Sequence, residues 1–102
     1  MERYAWKGYV KEGMLEEYVR RHDEIWAEMS EMLTEAGVTN YSIWNVGNEL
    51  FGYYECESVE DALAFQANSP VTARWDEYMS DILTMEEYPP GEHGLRQVFL
   101  HE

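Results

Sequence analysis

A histidine stands in the apolar stripe of EEYVRRHDEIWAEM, residues 16–29. Tyr18, Val19, Ile25, Trp26 and Met29 recur at the spacing that lines one face of an α-helix, and His22 falls on that face. Glu16, Glu17, Arg20, Arg21, Asp23 and Glu24 are expected to project elsewhere. Tyr18 lies one turn before the imidazole and Trp26 one turn after it, so a phenol and an indole flank it. An imidazole with an ordinary pKa near ~6.5 gives or takes a proton at neutral pH, which suits general acid and base work. Aromatic walls suit the C–H faces of a sugar ring, and tyrosine hydroxyls and indole N–H groups can anchor sugar hydroxyls. The plainer reading is a core histidine bonded to a backbone carbonyl or a tyrosine, with the aromatic residues serving only as core.

Other chemistries find less support. Histidines at 22, 93 and 101 show no HxH or HxxxH pairing, so no metal site is expected. Cys56, the only cysteine, lies in an alternating strand pattern without a histidine near it in sequence. It reads as a small core or interface residue, and the absence of an internal disulfide fits a reducing, cytoplasmic location. The chain contains no GxGxxG, no phosphate loop and no GxSxG elbow, so neither nucleotide cofactors nor hydrolase chemistry is indicated. Seven Lys plus Arg against 21 Asp plus Glu give a net charge of −14, which repels a nucleic-acid backbone. No apolar run approaches the ~20 residues of a membrane span, and MERYAWKGYV lacks a signal-peptide core.

The elements that must position His22 follow from periodicity. A chain of 102 residues, 45% hydrophobic and 15% aromatic, is expected to form a single domain spanning 1–102 around one core. RYAWKGYV (3–10) alternates as a strand, with Tyr4, Trp6, Gly8 and Val10 on one side. One long helix is expected from Glu12 to Ala36, stopped by Gly37. TNYSIWNV (39–46) and ELFGYYECE (49–57) flank Gly47-Asn48 as an antiparallel hairpin. Ser58 to Asp61 resembles a capping box opening a helix to about Ala67, and Pro70 starts another whose face holds Val71, Trp75, Tyr78, Met79, Ile82 and Leu83. EEYPPGEHG (86–94) reads as a loop and LRQVFL (95–100) as a final strand. The order β, α, β, β, α, β is that of a ferredoxin-like α+β fold, an antiparallel sheet with helices on one face. Bulky apolar residues on the other face call for a cover, most simply a second copy in a homodimer.

With these residues in place, EEYVRRHDEIW (16–26), NYSIW (40–44), RWDEYMSDIL (74–83) and the terminal LRQVFL together resemble the L-rhamnose mutarotase family. The likeness runs through most of the chain in the same order, and Tyr-x-x-Arg-His-x-x-Ile-Trp is its most specific element. It implies a dimeric α+β barrel that interconverts the α and β anomers of a monosaccharide without a cofactor. It also implies that His22 is the proton donor, that Tyr18 and Tyr41 bind sugar, and that Trp75 walls it. The chain departs from the family pattern in three places. Asp76 replaces a second tryptophan, Ala27 replaces a proline after Trp26, and EEYPPGEHGL replaces an Asn-Pro-x-Asn-Ser-Pro loop. An altered wall and loop bear on which sugar fits, so another deoxy sugar, an unmodified hexose or a pentose stays open. Trp26 joins Tyr18, Tyr41, Trp75 and Asp76 as a candidate sugar contact, and Asp76 is also an outside candidate for the base. Two rivals remain: a cofactor-free monooxygenase or other small barrel enzyme, and a non-catalytic binding module with a structural His22.

Overall fold

A computed structural model of the chain describes residues 1–90 and 92–102. Its elements run β1 (Glu2–Val10), α1 (Leu15–Asp23), α2 (Ala27–Glu35), β2 (Thr39–Val46), β3 (Glu49–Cys56), α3 (Val59–Ala67), α4 (Pro70–Met79) and β4 (Leu83–Met85). The four strands form one antiparallel sheet in the order β2-β3-β1-β4. This is the expected α+β, ferredoxin-like arrangement. No helix is long and apolar enough to cross a membrane among the described residues.

Strand alternation sorts the sheet's two faces. Trp6, Val10 and Leu50 are buried beneath the helices, where they meet Tyr18, Met29, Met32, Trp75, Met79 and Ile82. A second cluster of Val38, Tyr54, Cys56 and Ala62 fills the end under α3, so Cys56 is a core residue. The opposite face carries Trp44 and Val46, which are 70% and 68% exposed.

Three expectations need correction. The single helix over 12–36 is two helices, because Trp26 takes an extended conformation (φ −61°, ψ 137°) and serves as the N-cap of α2. The break sets Trp26 against Trp75 and Tyr78, contacts with α4 that a local periodicity does not contain. The helix begun at Pro70 ends at Met79, and Leu83 belongs to β4. β4, not 95–100, pairs with β1, through Leu83 to Met85. Residues 95–100 form no strand; Leu95 N–H donates to the Ala5 carbonyl at 2.7 Å, and Val98 and Phe99 are exposed. Leu83 to Glu86 occupy the β1 edge along Lys7 to Val10, and Pro89 and Pro90 offer no N–H to carry that ladder onward.

The rest follows the sequence closely. Gly37, at φ +84°, ends α2 in the left-handed conformation that a Cβ disfavours. Ser58 Oγ accepts from Asp61 N–H at 3.2 Å, forming one half of a capping box at α3.

Gly52 sets how closely β1 and β3 side chains approach. It pairs with Trp6 across the sheet, and a Cβ placed there would stand 2.0 Å from Trp6 Cε2. The indole therefore lies over bare backbone. Gly52→Ala should lower stability by about 1–3 kcal/mol through overpacking, read as a lower urea midpoint. Adding Trp6→Phe should recover part of that loss. An unchanged midpoint in Gly52→Ala would contradict the close approach.

Candidate functional site

Helix α1 places Tyr18 and His22 one turn apart, with ring centroids 4.2 Å apart. His22 Nδ1 lies 3.0 Å from the Tyr18 backbone carbonyl. A carbonyl only accepts, so Nδ1 carries the hydrogen and Nε2 is left for a ligand. Burial lowers the imidazole's pKa below its ordinary value, while the Tyr18 carbonyl and Asp23 act in the opposite direction.

Helix α4 supplies Trp75, which is buried and meets His22 edge-on at 5.4 Å and 87°. Trp26 lies against Trp75 at 5.1 Å and stacks on Tyr78 at 5.3 Å. It does not line either cavity at His22, so it supports Trp75 instead of facing a ligand.

Strand β2 delivers Tyr41 through a bulge. Between Thr39 and Ser42 the pairing with β3 slips, and Asn40 sits at φ +51° with its side-chain amide on Glu55. Tyr41, in the bulge, accepts a 2.9 Å hydrogen bond from Trp6 Nε1. One edge of Tyr41 remains open, at 37% exposure, but its hydroxyl end is desolvated and its pKa is raised. Burial raises Tyr18 as well. Neither phenol is a base near neutrality.

Two cavities, of about 440 and about 540 Å³, share the walls Tyr18, His22, Tyr41 and Trp75. The first also meets Val19, Trp44 and Asn45, toward the β2 edge. The second reaches Trp6, Tyr54, Gln66, Thr72 and Asp76. Of the residues that the sequence singles out, His22, Tyr18, Tyr41, Trp75 and Asp76 thus come together and Trp26 stands behind them. Among the described residues no group of three or more His, Cys, Asp or Glu side chains is arranged to hold a metal ion.

Sequence reasoning missed Arg21, assigned to solvent but 9% exposed. Its guanidinium donates to the Tyr78 carbonyl at 2.8 Å, to Asp81 at 2.9 Å and to Glu17 at 2.7 Å. It also covers the Tyr78 ring at 4.4 Å. Only the Glu17–Arg21 spacing was visible in the sequence; Asp81 is distant along the chain. Trp6, Tyr54 and Gln66 were also missed as site residues. Alternation put Trp6 on the right face but carried no sign of its bond to Tyr41.

The depressed pKa of His22 gives a titration test. The native state binds fewer protons than the unfolded chain between the folded pKa and ~6.5, so this contribution to stability is fully present above ~6.5. It is lost as pH falls through the folded pKa. NMR titration of the His22 ring should give a midpoint below ~6.5. A midpoint at or above that value would show that Asp23 and the carbonyl outweigh burial.

The chain has similar proteins of one named family. Residues 3–101 match the model of the family described as L-rhamnose mutarotase. An L-rhamnose mutarotase of Jannaschia sp. (strain CCS1) is 42% identical over 97 residues, covering 90% of this chain and 88% of its own. One from Lachnoclostridium phytofermentans is 37% identical over 102 residues, covering 97% of both chains. The crystal structure of an L-rhamnose mutarotase from Formosa agariphila superposes with a TM-score of 0.79 at 30% identity, covering 100% of both chains. With a family match along nearly its whole length and relatives this similar, the chain belongs to the L-rhamnose mutarotase family.

Proposed function

We propose that the chain is an aldose mutarotase that interconverts the α and β anomers of L-rhamnose or a closely related sugar, with His22 transferring the proton. The observation that carries this reading is the imidazole itself: Nδ1 is tied to the Tyr18 carbonyl, leaving Nε2 for a ligand between Tyr18, Tyr41 and Trp75. Mutarotation breaks the bond between the anomeric carbon and the ring oxygen. The ring oxygen gains a proton, the anomeric hydroxyl loses one, and reclosure on the other face of the carbonyl gives the second anomer. The reaction itself needs no cofactor.

The residues divide this work by chemistry. Protonated His22 donates to the ring oxygen and recovers the proton on reclosure. Trp75 offers a flat apolar wall for the sugar's C–H groups, held by Trp26 behind it. Tyr41, whose hydroxyl oxygen already accepts from Trp6, retains its own O–H to donate to a sugar oxygen. Tyr18 stacks beside the imidazole and limits its rotation.

Saturation-transfer NMR of L-rhamnose should show wild type accelerating anomeric exchange, and His22→Ala slowing it by ~10²- to 10⁴-fold, the usual contribution of one positioned acid or base. A folded His22→Ala protein with unchanged exchange would leave a non-catalytic module as the better reading. A panel of deoxy and unmodified sugars would rank substrates.

We also propose that the chain works as a homodimer, joined through the open sheet face that carries Trp44 and Val46. Sedimentation equilibrium should give twice the 12.1 kDa chain mass. A monomer at tens of micromolar would contradict it.

A further inference from the structure

Ring opening requires two proton carriers, and His22 is one. The cavity that reaches α3 and α4 offers six titratable side chains: Tyr4, Tyr18, His22, Tyr41, Tyr54 and Asp76. Burial raises all four phenols above their ordinary values, Tyr4 to about 12, so none takes a proton readily near neutrality. No Lys, Arg or Glu lines this cavity among the described residues. Asp76 is its only carboxylate. Asp23 borders the neighbouring cavity, but it follows His22 directly on α1, and residues one apart on a helix do not face each other.

Asp76 follows Trp75 on α4, and Trp75 is the residue whose ring meets the imidazole. Its side chain makes no hydrogen bond or ion pair among the described residues, whereas Arg21 is paired with Asp81 and Glu17, and Arg74 with Glu28. One side of Asp76 is open to solvent, and the cavity wall on the other side desolvates the carboxyl and raises its pKa. With no protein partner, the carboxylate is free to accept from a donor in the cavity, and a sugar hydroxyl is such a donor.

We propose that Asp76 is the second proton carrier of the reaction, the base that takes the anomeric hydroxyl proton while His22 serves the ring oxygen. This rests on the mutarotase reading above. In the step, His22 Nε2–H transfers its proton to the ring oxygen, which keeps the electron pair of the breaking bond to the anomeric carbon. The anomeric O–H gives its proton to the Asp76 carboxylate, and that electron pair becomes the carbonyl bond. The open-chain aldehyde turns about its first carbon–carbon bond. On closure the new hydroxyl returns its proton to His22, and the carbonyl oxygen takes one from Asp76. No proton is gained or lost over the cycle, and both side chains end as they began.

The pair has a signature in pH. The productive state holds one proton between the two groups, so kcat/KM is bell-shaped: it rises as the carboxyl ionises and falls as the imidazole loses its proton. The titratable groups that share the cavity with the pair are Tyr4 on β1, Tyr18 on α1, Tyr41 on β2 and Tyr54 on β3; the Asp23 charge also acts on the imidazole from the next position on α1, and Arg74 and Glu77 flank Asp76 on α4. Burial raises the carboxyl and lowers the imidazole, so the limbs approach each other and the bell is narrower than two isolated groups would give.

The test measures anomeric exchange of L-rhamnose against pH for wild type, Asp76→Asn and Asp76→Ala, with sugar affinity from ligand-observed NMR titration. Asparagine keeps the shape and a hydrogen-bonding oxygen but cannot accept the proton. The expected result is that Asp76→Asn loses ~10²-fold or more in kcat, keeps its sugar affinity, and loses the acid limb while keeping the alkaline one. Circular dichroism checks that both variants fold, as the absence of partners at Asp76 predicts. Full kcat in Asp76→Asn, an intact acid limb, or a change in KM alone would overturn the proposal and leave the mutarotase reading standing. Absence of exchange in folded wild type with every sugar of the panel would overturn both.

Discussion

Arg21 is the constraint on which the site depends. A guanidinium taken out of water is costly unless its donors are met, and here they are met by the Tyr78 carbonyl, Asp81 and Glu17. Two of these three partners lie at or just beyond the C-terminal end of α4, while Arg21 itself is on α1. The bonds therefore fix α1 in rotation and in height against α4. Sliding either helix by one residue would strand the charge, so the register is specified more sharply than apolar contacts would specify it. His22 is the next residue along, and Trp75 lies one turn before the Tyr78 carbonyl. The edge-on contact of imidazole and indole is thus a consequence of the ion pair beside it.

The sheet side of the site is fixed by a different economy of space. Trp6 lies over Gly52, where no side chain could be accommodated, and its indole N–H reaches the Tyr41 hydroxyl. The bulge at Asn40 gives β2 an extra residue just before Tyr41. Helix register and sheet register are set independently, by a buried cation on one side and a close-packed indole on the other. The cavity is the volume left between them. That arrangement lets its polar contents differ while the fold stays the same, which is the usual relation between fold and function.

How much of this was legible in the sequence depends on how local each determinant is. Strands β1, β2 and β3 alternate with period two, and that pattern is written into consecutive residues, so their faces were readable. Tyr18 and His22, four apart on one helix, were also readable as a pair. The break at Trp26 was not. Residues 16–33 keep helical period through it, Ala27 carries no stop signal, and the reason for the break is the contact with Trp75 and Tyr78, some fifty residues away. Arg21 failed for a related reason: next to Glu17 and Arg20 it looks like a solvated face, and the partners that bury it lie on another helix. β4 was hidden because Ile82 and Leu83 extend the apolar spacing of α4, while LRQVFL shows stronger strand propensity but meets β1 through the Leu95–Ala5 hydrogen bond and no ladder. In each case tertiary contact overrode local preference.

The site's electrostatics also run against the composition. With a net charge of −14, the simplest expectation is that surrounding carboxylates would raise every histidine's pKa. His22 instead shifts downward, with burial as the largest cause and Asp23 as the only charge acting on it in the other direction. The reason is range. Exposed charges are screened over about 8 Å at physiological ionic strength, whereas desolvation acts at contact, and the Tyr18 and Trp75 rings stand against the imidazole. Most of the acidic residues are paired or solvated on the outer surface, and among the described residues only Asp23 and Asp76 join His22 on the walls of a shared cavity. A neutral sugar passes through the surrounding negative field without attraction or repulsion, while an anionic one would be kept away. The acidic surface and the aromatic cavity therefore favour the same class of ligand, an uncharged polyol, and they do so by separate physical means.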